Sequence, residues 1–176
     1  MPPIFLITGP PAAGKTTVSR ALLRHFEFGL HIPVDDMRTW VLSGLSESVQ
    51  WTDETTRQFT LAEEAAADMA RRYHRAGFAV AYDHCRNLAR QDEIARLLDE
   101  ETVVKVCLCP SLEANLHRNH TRTNKEFDAR VLDDIIRGMN EAMASAAPAG
   151  WLMLDTTEMT VEETVQAVLT HRRESS

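Results

Sequence analysis

Gly9-Pro-Pro-Ala-Ala-Gly-Lys-Thr-Thr17 (GPPAAGKTT) follows directly on the apolar run IFLIT at residues 4–8 and leads into KTTVSRALLRHF. Gly9, Gly14, Lys15 and Thr16 satisfy the spacing G-x-x-x-x-G-K-[ST], and the run before them reads as a buried strand, the run after them as a helix with Val18, Ala21, Leu22 and Phe26 on one face. In that setting the glycines let the backbone turn so that successive N–H groups point inward at a polyphosphate, and the helix start adds partial positive charge. Gly9, Pro10, Ala12, Ala13, Gly14, Lys15, Thr16 and Thr17 are the expected nucleotide-binding residues. Lys15 reaches the β and γ phosphates, and the Thr16 hydroxyl binds Mg²⁺. The loop therefore predicts a nucleoside triphosphate site.

Outward from this loop, strands and helices alternate. The sequence predicts strands at 3–8, 31–34, 78–83, 103–108 and 151–154, with helices at 15–26, 35–42, after Thr52 up to Gly77, 90–100, and after Ser111. Val131, Leu132, Ile135, Ile136 and Met139 mark one apolar helix face, expected in the core, and Thr160-Val-Glu-Glu163 opens the last helix with a capping box. Trp40, Trp51 and Phe59 are read as core packing, with lining an acceptor pocket as the alternative. Such alternation means an α/β fold with a parallel sheet, helices on both faces, and ligands at the carboxyl ends of the strands. No repeat or linker interrupts it, so residues 1–176 are read as one domain.

Composition narrows the function. The 176 residues are 44% hydrophobic and 26% charged, as in globular domains generally. The net charge of −7 opposes a protein that coats nucleic acid, although Arg118, Arg122, Lys125 and Arg130 cluster locally. No stretch is apolar enough to span a bilayer, and the N-terminus lacks the basic start of a signal peptide, so the expectation is no membrane and a cytoplasmic setting. Three cysteines without a CxxC pair fit a reducing compartment; Cys107 and Cys109 read as strand residues.

Chemistry beyond nucleotide binding needs an acceptor side. Val34-Asp-Asp-Met-Arg38 lies just past the second strand, beside the phosphate loop in a sheet of this kind. Asp35 there is placed to take a proton from an attacking hydroxyl, and Arg38, one turn on, to hold the acceptor. Asp36 is the adjacent alternative base, and either acid also suits a helix N-cap. Asp83 ends the third strand and reads as a Mg²⁺ or acceptor-holding residue, or equally as a turn residue. His84 and Arg86 follow it; His84 lacks partners at metal-ligand spacing. Arg118 and Arg122, four apart, fall on one face if their helix continues, and read as lid arginines that close over the triphosphate. The segment TNKEFD does not match the guanine-reading N-K-x-D, because two residues separate Lys125 from Asp128.

GPPAAGKTT, VDDMR and HRNHTRTNKEFD, in this order and spacing, resemble the small P-loop kinases of the AAA_33 or zeta-toxin-like group, which includes gluconate, shikimate, chloramphenicol and polynucleotide kinases. The resemblance covers essentially the whole chain. It implies a P-loop NTPase three-layer sandwich, with a five-stranded parallel sheet in the order 2-3-1-4-5, and a short lid at about 118–127. By position it makes Asp35 the general base, Arg38 the acceptor-binding arginine, and Arg118 and Arg122 the residues that embrace adenine and phosphates. It also puts Asp155-Thr-Thr157, hence Thr156, in the adenine pocket. Asp83-His-Cys85 departs from the Asp-Thr-Asn of polynucleotide kinases. The expected activity is ATP- and Mg²⁺-dependent phosphoryl transfer, with Lys15, Asp35, Arg118 and Arg122 as catalytic residues and Thr16 and Asp83 at the metal. The acceptor is a hydroxyl of a small molecule. The alternatives are a polynucleotide 5′-hydroxyl kinase, or a nucleotide-binding regulator or NTPase with no acceptor.

Overall fold

In the computed structural model, residues 1–48, 50–122, 129–146 and 148–174 are described. Strand β1 (Ile4–Thr8) is buried along its whole length, as a central strand covered on both faces must be. It pairs in parallel with β3 (Ala79–Asp83) on one side and β4 (Val103–Leu108) on the other. Outside these lie β2 (Gly29–Pro33) and β5 (Trp151–Leu154), giving the order β2-β3-β1-β4-β5. This is the expected α/β P-loop sandwich.

The two-residue period of β1 divides the core. Ile4 and Leu6 join Ile32, Val80 and Tyr82 on one face, where α3 (Asp53–Arg75) lays down Ala62, Ala66, Ala67 and Ala70 and α4 (Leu88–Leu97) contributes Ile94 and Ala95. Phe5 and Ile7 face the other way, against Val18 and Leu22 of α1 (Lys15–Leu23) and Val165 and Val168 of α7 (Val161–Glu174). The alanine stripe has no long side chains, so α3 packs close to the sheet.

Several element ends differ from the sequence expectation. Helix α2 (Val34–Arg38) stops four residues short of Leu42. The Thr39 hydroxyl bonds back to the Asp36 carbonyl, a local bond that competes with helix continuation. The segment beyond has no sheet face to cover, and Trp40 is 68% exposed rather than packed. Helix α5 (Leu112–Thr121), capped by Ser111, ends before Arg122, whose backbone is extended (φ −71°, ψ 141°). Arg118 and Arg122 therefore do not share a continuous helix face. Val131 and Leu132 form a 3₁₀ turn ahead of α6 (Asp133–Ala144), and Val131 is 49% exposed, outside the core. The capping box at Thr160 and Glu163 is present.

Gly9 is required by space as well as conformation. Its φ is +150°, and a Cβ there would lie 2.6 Å from the Leu108 carbonyl oxygen at the end of β4. Gly14, at φ +96°, has open space around it. Gly9→Ala is therefore expected to destabilise the protein by about 1–3 kcal/mol and to abolish nucleotide binding. Gly14→Ala meets backbone strain alone, of about 1–2 kcal/mol. Thermal melts of the two variants check the ranking, with Gly9→Ala the lower.

Candidate active site

The phosphate loop sits at the carboxyl end of β1. Helix α1 begins at Gly14 with no side-chain cap on its first amides, leaving donors of the kind that bind anions. The Lys15 ammonium is buried and donates to the carbonyls of Gly9 (3.1 Å) and Pro10 (3.0 Å), which bend it back into the loop. Burial alone would lower its pKa, but Cys85, Asp83 and Asp35 outweigh that and raise it, so the ammonium stays charged. Asn115 of α5 fastens the loop from outside, donating to the Pro11 carbonyl at 2.6 Å. A loop of this form, with a charged lysine and uncapped amides, fits a polyphosphate.

At the second residue of α1, the Thr16 hydroxyl donates to Asp83 Oδ2 at 2.7 Å, and His31 Nε2 lies 3.1 Å from the same oxygen. The register places Asp83 beside Ile7, one residue short of the end of β1. A hydroxyl and a carboxylate in contact are oxygen ligands of the type Mg²⁺ takes, and Mg²⁺ keeps most of its water. Among the described residues no group of three or more His, Cys, Asp or Glu forms a dedicated metal cage. The donor set suits a metal shared with phosphates.

A cleft of about 220 Å³ opens beside the loop, lined by Gly14, Thr17, Arg118, Thr156, Met159 and Val161 among others. Arg118 donates to the carbonyls of Thr156 (2.7 Å) and Thr157 (3.1 Å). Asp155 accepts from the Thr157 amide and hydroxyl, which tightens the turn. The Thr156 hydroxyl is buried and has no hydrogen-bond partner among the described residues, so a polar edge of a bound ring has a group to meet. Arg118 thus belongs to the wall of this cleft. Arg122 lies at the end of α5, its Nε and Nη2 shielded and without a partner among the described residues, and desolvation lowers its pKa. Residues 123–127 of the expected lid lie outside the described residues, as does the whole TNKEFD segment.

On the other side of the loop, Asp35 and Asp36 separate clearly. Asp36 is exposed, whereas Asp35 turns inward and its Oδ1 lies 2.9 Å from His84 Nδ1. The Cys85 backbone N–H also donates to Asp35, and Lys15 is near enough to act on its charge. Desolvation would raise the Asp35 pKa, but His84 and Lys15 outweigh it and hold it below the usual value. The Asp35 side chain is still 44% exposed. Arg38 is buried, with its guanidinium 4.4 Å above the Phe59 ring and a 2.5 Å bond to the Ser46 carbonyl. Trp51 stacks on Phe59 at 4.9 Å and is half exposed, its indole N–H satisfied by Thr56. Arg86 lies over both rings. Phe59 is therefore packed as expected, whereas Trp51 is half exposed and lies outside the core.

Behind Asp35 is a charged core that the sequence reading did not identify. His84 is wholly buried, and its Nε2 lies 3.0 Å from Glu63 Oε1. Glu63 is wholly buried on α3; its Oε2 accepts from Arg90 Nε (2.8 Å) and Nη2 (2.6 Å), and Arg86 pairs with its Oε1 at 3.0 Å. One signal in the sequence marks Glu63. It falls on the helix face shared by Phe59, Ala62, Ala66, Ala67 and Ala70, whereas neighbouring Glu64 is exposed. An acid on an apolar stripe needs a partner.

This cluster predicts a pH dependence of stability. Burial would lower the His84 pKa, but Asp35 and Glu63 outweigh it and raise it above 6.5. Its contribution is complete below pH 6.5 and is lost as pH rises through the folded-state value. The Asp35 and Glu63 values are lowered from 3.8 and 4.5, so their contribution is present above those values and lost as pH falls through the folded-state ones. The cluster stabilises most between about pH 4.5 and 6.5. Melting temperatures from pH 6 to 9 should fall more steeply for the wild type than for His84→Asn; parallel curves would contradict this.

Comparison with known proteins agrees with this architecture. The AAA_33 family model, described as an AAA domain, matches residues 4–146. A sugar kinase from Janibacter sp. aligns with a TM-score of 0.68 at 16% identity, over 97% of this chain and 94% of that one. A gluconokinase from Sinorhizobium meliloti 1021 gives 0.68 at 16% identity, over 98% and 93% of the two chains. The shikimate kinase of Acinetobacter baumannii, solved with shikimate, gives 0.63 at 18% identity, over 100% and 96%. Likeness at these identities establishes the shared fold. Comparison with curated proteins gives no match. With the family model spanning most of the chain, and with the phosphate loop, sheet order and flanking helices all in place, the protein belongs to the AAA_33 family and shares the fold of the small P-loop kinases.

Proposed function

We propose that the protein is an ATP-dependent kinase that transfers the γ-phosphoryl group to a hydroxyl of a small-molecule acceptor. The observation that carries this reading is the pairing of a buried, charged Lys15 with an inward-turned, half-open Asp35 across the end of β1. A hydrolase or a binding switch has no need of a second, part-exposed carboxylate beside the loop with arginines and aromatic rings near it. The names of the neighbouring structures (a sugar kinase, a gluconokinase, a shikimate kinase) support acceptors of this class.

In this mechanism ATP is the donor substrate, and Mg²⁺, when bound, supplies charge neutralisation at its phosphates. Thr16 and Asp83 are the residues that would hold the metal. Lys15 and the loop amides bind the phosphates and counter the charge that develops on them. Thr156 and the Arg118 wall receive the base. Arg38 and the Phe59–Trp51 pair hold the acceptor with its hydroxyl toward Asp35. As the new O–P bond forms, the hydroxyl proton passes to the Asp35 carboxylate and the bond to ADP breaks. A depressed pKa suits a proton taken late, because a loose transition state leaves the hydroxyl little acidified until bond formation is advanced.

The test supplies γ-labelled ATP with Mg²⁺ and two acceptor pools: a polar metabolite extract and, separately, a 5′-hydroxyl oligonucleotide. Label in a phosphate ester of a small metabolite supports the proposal. Label on the oligonucleotide alone identifies a polynucleotide kinase instead, and free phosphate alone an NTPase.

A further inference from the structure

We propose that His84 and Glu63 are positioning residues for the transfer step, holding the Asp35 carboxylate in the one orientation from which it meets the acceptor hydroxyl. This rests on the kinase reading above. Three observations support it. First, both His84 ring nitrogens lie at hydrogen-bond distance from carboxylate oxygens, 2.9 Å from Asp35 and 3.0 Å from Glu63. Carboxylates accept, so both nitrogens donate, and the ring cannot turn over without losing a partner. Second, Glu63 is fixed in turn by Arg90 through two bonds to one oxygen and by Arg86 at the other, while the Tyr82 hydroxyl bonds to its backbone carbonyl. Third, the chain of contacts runs from a fully buried end to a half-open one, from Glu63 through His84 to Asp35. Its outlet is the part-exposed Asp35 carboxylate.

The network ends on an acid that is part exposed and lies within reach of the Lys15 charge. Asp35 stands on the five-residue helix α2, at whose amino end no side-chain cap holds it. Its orientation is supplied from the two residues that follow β3, through the His84 ring and the Cys85 amide. Misplacing a reacting group by about 1 Å can cost about 10²-fold in rate.

The experiment compares His84→Ala, His84→Asn and Glu63→Gln with the wild type. It uses the label-transfer assay for turnover and KM, and crystal structures for the place of Asp35. His84→Ala is expected to lower kcat for ester formation by up to about 10²-fold with KM for ATP within about twofold, and to release Asp35 to another rotamer. His84→Asn keeps an N–H near the position of Nδ1 and is expected to recover most of kcat. Glu63→Gln keeps an acceptor for Nε2 but frees Arg86 and Arg90, and should fall between them. Folded His84→Ala that keeps wild-type kcat, or whose Asp35 stays in place, would overturn the inference. Should His84→Ala fail to fold, His84→Asn and Glu63→Gln decide: equal losses in both, with Asp35 unmoved, mean stability alone. If the wild type forms no ester, the kinase reading falls, while the structures still show whether His84 holds Asp35.

Discussion

Asp35→Asn is expected to reduce phosphoryl transfer to the acceptor by about 10²–10⁴-fold, the range for loss of a positioned general base, with ATP affinity nearly unchanged. The substitution is close to isosteric. The amide oxygen can still accept from His84 Nδ1, so the 2.9 Å contact that anchors the side chain persists. What is lost is the charge and the ability to take a proton. Lys15 also loses one of the anions that raise its pKa, but burial and the bonds to Gly9 and Pro10 keep it in the loop. The effect therefore falls on kcat, and KM for ATP is the internal control. Asp36→Asn, at the exposed neighbour, should change neither by more than about twofold, as expected for a surface substitution away from the site. Steady-state kinetics of both variants check the assignment, and equal losses would contradict it.

The second large effect is at the opposite wall. Lys15→Ala is expected to lower transfer by at least about 10²-fold, the scale for removal of one transition-state charge partner, and to weaken ATP binding as well. Among the described residues the buried ammonium hydrogen-bonds only to backbone carbonyls within the loop, so none of their carboxylates loses a direct hydrogen-bond partner when it goes. Strand β1 and the helix α1 core residues, Val18 and Leu22, are untouched. The variant should therefore keep its circular dichroism spectrum and lose little melting temperature. Calorimetric titration with ATP separates it from Asp35→Asn, which binds normally. Weak binding in both, or in neither, would mean that the two residues do not divide the work as described.

How much of this was legible in the sequence differs by region, for physical reasons. The phosphate loop announces itself because its chemistry is local: consecutive residues supply the turn, the amides, the lysine and the hydroxyl. The parallel sheet was also within reach, since alternating apolar runs and helical spacing are dictated by burial along β1, β3 and β4, whereas the strand order came only from the resemblance to small P-loop kinases. Helix ends were less legible. Nothing in VDDMRTWVL says that Thr39 will bond back to Asp36, and the helical reading of Arg118 and Arg122 failed where α5 stops at Thr121. Least visible was the support for Asp35. His84 and Glu63 are 21 residues apart and become neighbours only when α3 crosses the end of β3. In the chain His84 is a lone histidine without metal partners. Only the misplaced acid on the alanine face of α3 hinted that something charged lay beneath.

The most direct test of the kinase reading is the partition of γ-phosphate between ester and inorganic phosphate. It is measured with Mg·ATP and the metabolite pool, for wild type and Asp35→Asn side by side. The account predicts ester as the main product of the wild type and its loss by at least about 10²-fold in the variant, with any slow release of inorganic phosphate unchanged. Inorganic phosphate as the sole product, formed equally by both proteins, would contradict a transfer site built around Asp35.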